Sequence, residues 1–155
     1  MSLRIGIISD THGLLRPTAL HALRGCDHLV HAGDIGAPDI LAALRALAPL
    51  TVVRGNNDRA DWARDLPDVA RVVLGATAIL VLHDVNDLSL DPAAEGIGAV
   101  ISGHSHRPSV THRGEVLFVN PGSAGPRRFS LPIAVAALSL VDGQPPSATL
   151  IELDR

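Results

Sequence analysis

Five short polar clusters in this chain carry residue types that bind metal ions: Asp10-Thr11-His12, Gly33-Asp34, Gly55-Asn56-Asn57-Asp58, His83-Asp84 and Gly103-His104-Ser105-His106. Within them Asp10, His12, Asp34, Asn56, His83, His104 and His106 offer oxygen or imidazole-nitrogen donors. A divalent ion takes about four protein donors. These residues therefore make two four-donor sets if one carboxylate, Asp34, is shared between them. Mixed imidazole and carboxylate ligands suit Mn, Fe, Co, Ni or Zn, with Mn taken first. Cysteine has no part in such a site. Cys26 is the only one, which also excludes an intrachain disulfide and a cysteine-rich zinc site.

Taken singly, most clusters have a plainer reading. Asp34 after Gly33 reads as a turn or helix-cap residue. Asn56 and Asn57 after Gly55 read as a turn, because Asn tolerates positive φ. His83 alone reads as a hydrogen-bonded structural imidazole. Gly-His-Ser-His is stronger, since two imidazoles at i and i+2 after a strand can chelate. The ordered set decides the matter, because each cluster follows a segment with strand character. In α/β sheets such strand ends form the ligand crevice. Gly33, Gly55 and Gly103 fit a crowded site that the backbone must approach without a Cβ.

The elements that place these clusters alternate at first. Arg4 to Ser9, His28 to Ala32 and Thr51 to Arg54 are short aliphatic runs that read as buried strands. Between them lie two helical patterns. One runs from Pro17 to Arg24 before Gly25, and the other opens on Pro38, with Ile40, Leu41, Leu44 and Leu47 on one face, before Pro49. Strand–helix alternation predicts parallel strands with right-handed crossovers. The second half reads as mostly β. Hairpins are expected around Gly75, around Arg113-Gly114 and between Ile133 to Val141 and Ala148 to Leu153; Ala99 to Ser102 is a further strand, and Asp91 to Ile97 a short helix. The expectation is an α/β fold of two packed sheets with helices outside, as one domain over residues 1–155.

Composition narrows the function. Aromatics are 2% of the chain, so Ala, Val, Leu and Ile must fill the core. The net charge is -3 and all 13 cationic side chains are Arg. A slightly acidic domain without a clustered basic surface argues against a stable nucleic-acid complex. The longest apolar stretch, Ile133 to Val141, is far short of the roughly 20 residues that span a bilayer. Residues Met1 to Asp10 read as a core strand and not as a signal peptide. The sequence thus predicts a cytoplasmic protein with no membrane partner, and it assigns no oligomeric state.

With these motifs in place, the chain resembles the calcineurin-like metallophosphoesterases, and among them the compact phosphodiesterase branch of bacteria and archaea. The likeness runs from Ile5 to about Pro126 and includes Asn120-Pro121-Gly122-Ser123, which is similar to that branch's loop after the last motif. It implies a four-layer αββα sandwich of two mixed sheets flanked by helices, and a binuclear centre. Asp10, His12, Asp34 and His106 would hold the first metal, and Asp34, Asn56, His83 and His104 the second. Two departures stand out. Many members carry a His directly after the Asn of the third motif, where Asn57 stands here. The fourth motif commonly reads His-Gly, where this chain has His83-Asp84.

The implied activity is hydrolysis of P–O bonds in a small phosphodiester by a hydroxide that bridges two divalent ions, with Asp34, Asn56 and His104 closest to the chemistry. Coordination brings the pKa of water from 15.7 towards roughly 7. Arg127 and Arg128 are candidates to meet the substrate phosphate. Ser123 has no partner base, so a serine nucleophile is not expected. The alternative is a protein-binding scaffold of the same fold, as in the family's retromer subunit, which has little or no catalysis. All seven donor positions hold competent ligands here, which favours the enzyme.

Overall fold

The computed structural model describes residues 1–153, so the last two residues of the expected domain lie outside the described residues. Ten strands form two five-stranded sheets. The first contains β1 (Ser2–Ile8), β2 (His28–His31), β3 (Leu50–Val52), β9 (Ala134–Val141) and β10 (Ser147–Glu152), in the order β10-β9-β1-β2-β3. The second contains β4 (Val69–Leu74), β5 (Thr77–Leu82), β6 (Ile97–Ile101), β7 (Ser109–Arg113) and β8 (Val116–Asn120), in the order β4-β5-β6-β8-β7. Both sheets are mixed. β1, β2 and β3 run parallel, as do β5, β6 and β8, and the antiparallel pairs are the three hairpins β4–β5, β7–β8 and β9–β10 together with β1–β9.

The parallel strands of the first sheet are joined through α1 (Pro17–Leu23) and α2 (Pro38–Arg45). Each opens on a proline, whose missing N–H costs nothing in the first turn of a helix. Side chains alternate across β1. Ile5 and Ile7 enter the layer between the sheets, with Val30, Ile79, Ile101 and Leu117. Ile8 faces outward into the helix layer, with Leu23, Leu29, Leu41 and Leu44. Apolar residues on both faces give strands that read as continuous aliphatic runs, which is how these appear in the sequence.

The other outer face is covered more thinly. Leu80, Leu82, Val100, Val116 and Phe118 pack under Val85 and Leu88 from a 3₁₀ turn, Val85–Asp87, and its exit. The Arg113 guanidinium lies 4.2 Å from the Phe118 ring centroid. The short helix expected over Asp91 to Ile97 does not form, and the segment is a turn running into β6. Asp91 Oδ1 accepts the Ala93 N–H at 3.2 Å, which holds the chain in a local turn, and Gly96 at φ 73° reverses it. No helix among the described residues is long and apolar enough to cross a membrane.

The sequence did not disclose where the last hairpin goes. β9 pairs antiparallel with β1, from Ser2↔Val141 to Ile7↔Ala136, so the first strand is central and its end is enclosed. Gly6 lets α1 sit close on that strand. A Cβ there would lie 2.6 Å from Leu23 Cδ2 and 2.7 Å from Leu29 Cδ2, both deeply buried. Gly6→Ala should therefore overpack the helix layer and lower stability by about 1–3 kcal/mol. A lowered urea midpoint with an unchanged slope is the expected reading.

Candidate metal centre

The site is built where parallel strands of both sheets end. The β1–β2 ladder does not stop with the strands. Ala32 N–H donates to Ile8 O at 3.0 Å, Asp10 N–H to Gly33 O at 3.0 Å, His12 N–H to Asp34 O at 2.9 Å and Gly13 N–H to Ile35 O at 2.8 Å. Two loops are thereby zipped together, which fixes Asp10 and His12 beside Asp34. β3 leads into Asn56, β5 into His83 and β6 into His104 and His106.

All seven predicted donors meet there. Asp34 Oδ2 lies 3.6 Å from His12 Nε2 and 3.2 Å from His83 Nε2, so one carboxylate oxygen stands between two imidazoles. Asp10 Oδ1 is 3.4 Å from His106 Nε2 and 3.8 Å from both His12 Nε2 and His83 Nε2. His104 Nδ1 and Asn56 Oδ1 are 3.2 Å apart. Two tight groups result: ligand atoms of Asp10, His12 and His106 lie within 4.8 Å of one another, and so do those of Asp34, His83 and His104. Asp10 Oδ1, His12 Nε2, His83 Nε2 and His106 Nδ1 are buried without a hydrogen-bond partner. An unpaired buried polar atom costs about 1–3 kcal/mol. Their occurrence on four of the seven candidate donor residues is unfavourable for a chain alone and fits a site that cations complete.

The region of residues 3–143 matches the family model of the calcineurin-like phosphoesterase superfamily domain. The chain belongs to that superfamily. A probable metallophosphoesterase of Methanothermobacter thermautotrophicus is 31% identical over 159 residues, covering 95% of this chain and 91% of that protein. Among solved structures, an archaeal phosphodiesterase superposes with a TM-score of 0.79 at 22% identity, over 97% of this chain and 100% of that one. Vacuolar protein sorting 29 from Cryptosporidium parvum does so with a TM-score of 0.78 at 17% identity, over 99% of each chain. These two structural likenesses show the shared fold.

Asp10 has no exposed surface and its two oxygens are divided in use. Oδ2 accepts the Ser9 hydroxyl at 2.8 Å and the His104 N–H at 3.1 Å, which leaves Oδ1 directed at the imidazoles. Asp34 accepts the Asn57 N–H on Oδ1 at 2.9 Å and the Asn57 side-chain amide on Oδ2 at 3.0 Å. Burial alone would raise the Asp34 carboxyl, but the adjoining His83, the Asn57 N–H and His12 outweigh it and hold it well below the usual range. Burial likewise opposes a charge on His83, yet Asp34, the Ala32 carbonyl and Asp10 together raise its pKa. A metal ligated by His83 must therefore displace a favoured proton, so metal affinity falls as pH falls.

The backbone is bent to suit. Asp10, His12, Asp34, His104 and His106 all have positive φ, between 46° and 70°, in the left-handed region that non-glycine residues enter rarely. A Cβ on Gly33, itself at φ 103°, would lie 2.7 Å from His83 Nδ1, and one on Gly103 would strike Ser9 Oγ and reach 2.7 Å from Asp10 Oδ2.

Sequence reasoning missed the residues that hold the loops. Asp58 accepts the Ile35, Gly36 and Gly55 N–H groups, tying the Asp34 loop to the Asn56 loop. The only signal was its place after Asn57. Asn120 and Ser123 serve the backbone: Asn120 Nδ2 donates to Gly103 O at 2.9 Å and Ser123 Oγ to Asp10 O at 3.0 Å. Arg127 and Arg128 are exposed, and their side chains make no hydrogen bond or ion pair among the described residues.

His31 is the pin between the first two loops. Its Nδ1 accepts the Gly33 N–H at 3.0 Å, and its Nε2–H faces Thr11 Oγ1 at 3.0 Å, whose own hydroxyl donates to Ile35 O at 2.7 Å. This arrangement needs the neutral imidazole, and burial lowers the His31 pKa to about 4. The depressed value means that its stabilising effect is complete above the unfolded pKa, near 6.5, and is lost as pH falls towards about 4. In the metal-free protein, urea unfolding across that window should lose about 3 kcal/mol through this group. His31→Gln should flatten that part of the profile.

Proposed function

We propose that the chain is a binuclear metal-dependent phosphodiesterase acting on a small phosphodiester in the cytoplasm, with no nucleic-acid or membrane partner. Asp10, His12, Asp34 and His106 would hold one divalent ion and Asp34, Asn56, His83 and His104 the other. The observation that carries this reading is the position of Asp34 Oδ2 between His12 and His83, among buried donors that lack partners. Two divalent ions, Mn first among Mn, Fe, Ni, Co and Zn, would lower the pKa of water to roughly 7 and polarise a phosphoryl oxygen.

The chain's own residues do the rest. Ser9 and the His104 N–H hold Asp10 in one rotamer, so its free oxygen needs no reorganisation when a cation arrives. Asn56 and His104 stand at the mouth, in the wall of a groove of about 630 Å³ that also includes Arg54, Arg59 and Asp84. A groove beside the reacting position gives room for the second substituent of a diester. Asn57 faces Asp34 with a neutral amide and cannot give a proton to a departing alkoxide. Leaving groups that depart without protonation should therefore react best.

Chelator-stripped protein should regain hydrolysis of a chromogenic aryl phosphodiester on addition of Mn²⁺, with less activity on the aryl monoester. His104→Ala should reduce that activity by about 100-fold or more. Absence of turnover of either ester with metal bound would leave the protein-binding scaffold as the better reading. A second experiment addresses the leaving group: Asn57→His should speed hydrolysis of an alkyl diester more than that of an aryl diester. Equal changes on the two would show that protonation is not what Asn57 withholds.

A further inference from the structure

Asp84 stands where the superfamily's fourth motif commonly has Gly, and its two oxygens face different structures. Its backbone is extended, at φ -116° and ψ 116°, and Oδ1 accepts the Asn86 N–H at 3.0 Å, capping the Val85–Asp87 turn. Oδ2 lies 3.7 Å from His104 Nε2. The opposite nitrogen of that ring, Nδ1, is the one beside Asn56 Oδ1. His104 is also loosely held for a ligand: its side chain is 44% exposed, against 7% for His83 and 2% for His106. Its ring meets His83 edge-on, with 5.2 Å between centroids, and no backbone carbonyl fixes its orientation among the described residues.

Imidazoles that bind metal through one nitrogen usually donate the other N–H to a carboxylate or carbonyl, which fixes the tautomer and raises ligand basicity. From this geometry we infer that Asp84 is the positioning carboxylate of His104, its charge 3.7 Å from Nε2 favouring the tautomer that carries the proton there and so leaving Nδ1 turned towards Asn56. The inference rests on reading Asp34, Asn56, His83 and His104 as one metal-binding set. It has a consequence for substrate. Asp84 is 26% exposed in the wall of the groove, so its charge is felt by an incoming ester. One added negative charge penalises a dianionic monoester more than a monoanionic diester. Asp84 therefore acts as a specificity determinant as well as a support.

The test is calorimetric titration of Mn²⁺ into metal-free protein, using Asp84→Ser. Serine keeps a capping hydroxyl for the turn but cannot reach His104. The weaker of two Mn²⁺ equivalents should lose about 10–100-fold in affinity, with the tighter one and the metal-free urea midpoint unchanged. The diester-to-monoester ratio of kcat/KM should fall by about threefold or more. Introducing the same change into His104→Ala should have no further effect on affinity, because Asp84 acts through that ring. Equal losses in both backgrounds would overturn the inference and make Asp84 a direct ligand. Unchanged affinity in the single variant would reduce it to a turn cap. A lowered midpoint with both equivalents weakened alike would make its role merely structural. Wild-type protein that takes up fewer than two equivalents would instead overturn the two-metal reading, and the inference with it.

Discussion

The parallel register of β1 on β2 is the constraint on which the site depends. Because Ile5 pairs with His28 and Ile8 with His31, both strands end at the same level, and the ladder continues as Asp10–Gly33, His12–Asp34 and Gly13–Ile35. Each loop supplies the other with backbone partners that water would otherwise have to provide. A shift of one residue would turn Ile5 and Ile7 out of the layer between the sheets and separate Asp10 from Asp34. Core packing and site geometry are thus specified by the same register. The burial of Ile5, Ile7, Val30 and Leu29 holds the polar loops together at a distance.

Around this seam the polar residues act in pairs that join one loop to the next. His31 and Thr11 link the first loop to the second, Asp58 links the second to the third, and Asn57 does so again through Asp34 itself. Asp10, held by the Ser9 hydroxyl, accepts the His104 N–H of the β6 loop, and Ser123 closes the far side on Asp10 O. Side chains outside the candidate donor set therefore govern where those donors stand. This is how candidate donors from different strand ends are brought to one place.

Much of this was legible in the sequence. The donor types, the strand ends that carry them and the three hairpins could be read because each depends on local pattern: aliphatic runs, turn residues and the spacing of His and Asp. The position of β9 beside β1 could not, because pairing across most of the chain leaves no local mark. Nor could the roles of His31 and Asp58, whose partners are backbone N–H groups brought close only by the fold. The short helix expected over Asp91 to Ile97 failed on a local competition, since the Asp91 side chain offered the backbone a turn before a helix could propagate. The thin cover over Leu80 and Phe118 was equally invisible, as a 3₁₀ turn and a stacked Arg113 leave no periodic stripe.

The left-handed backbone at Asp10, His12, Asp34, His104 and His106 has a consequence for the chain's evolvability. Each such conformation costs roughly 1 kcal/mol or more for a residue with a Cβ. Glycine would be the more comfortable occupant at each of these positions, and a search for thermal stability alone would drift towards it, erasing a donor at every step. Selection that retains Asp and His there retains residues that the fold by itself disfavours. Stability and ligand capacity therefore pull in opposite directions at these positions, and the trade-off is written into individual backbone torsions.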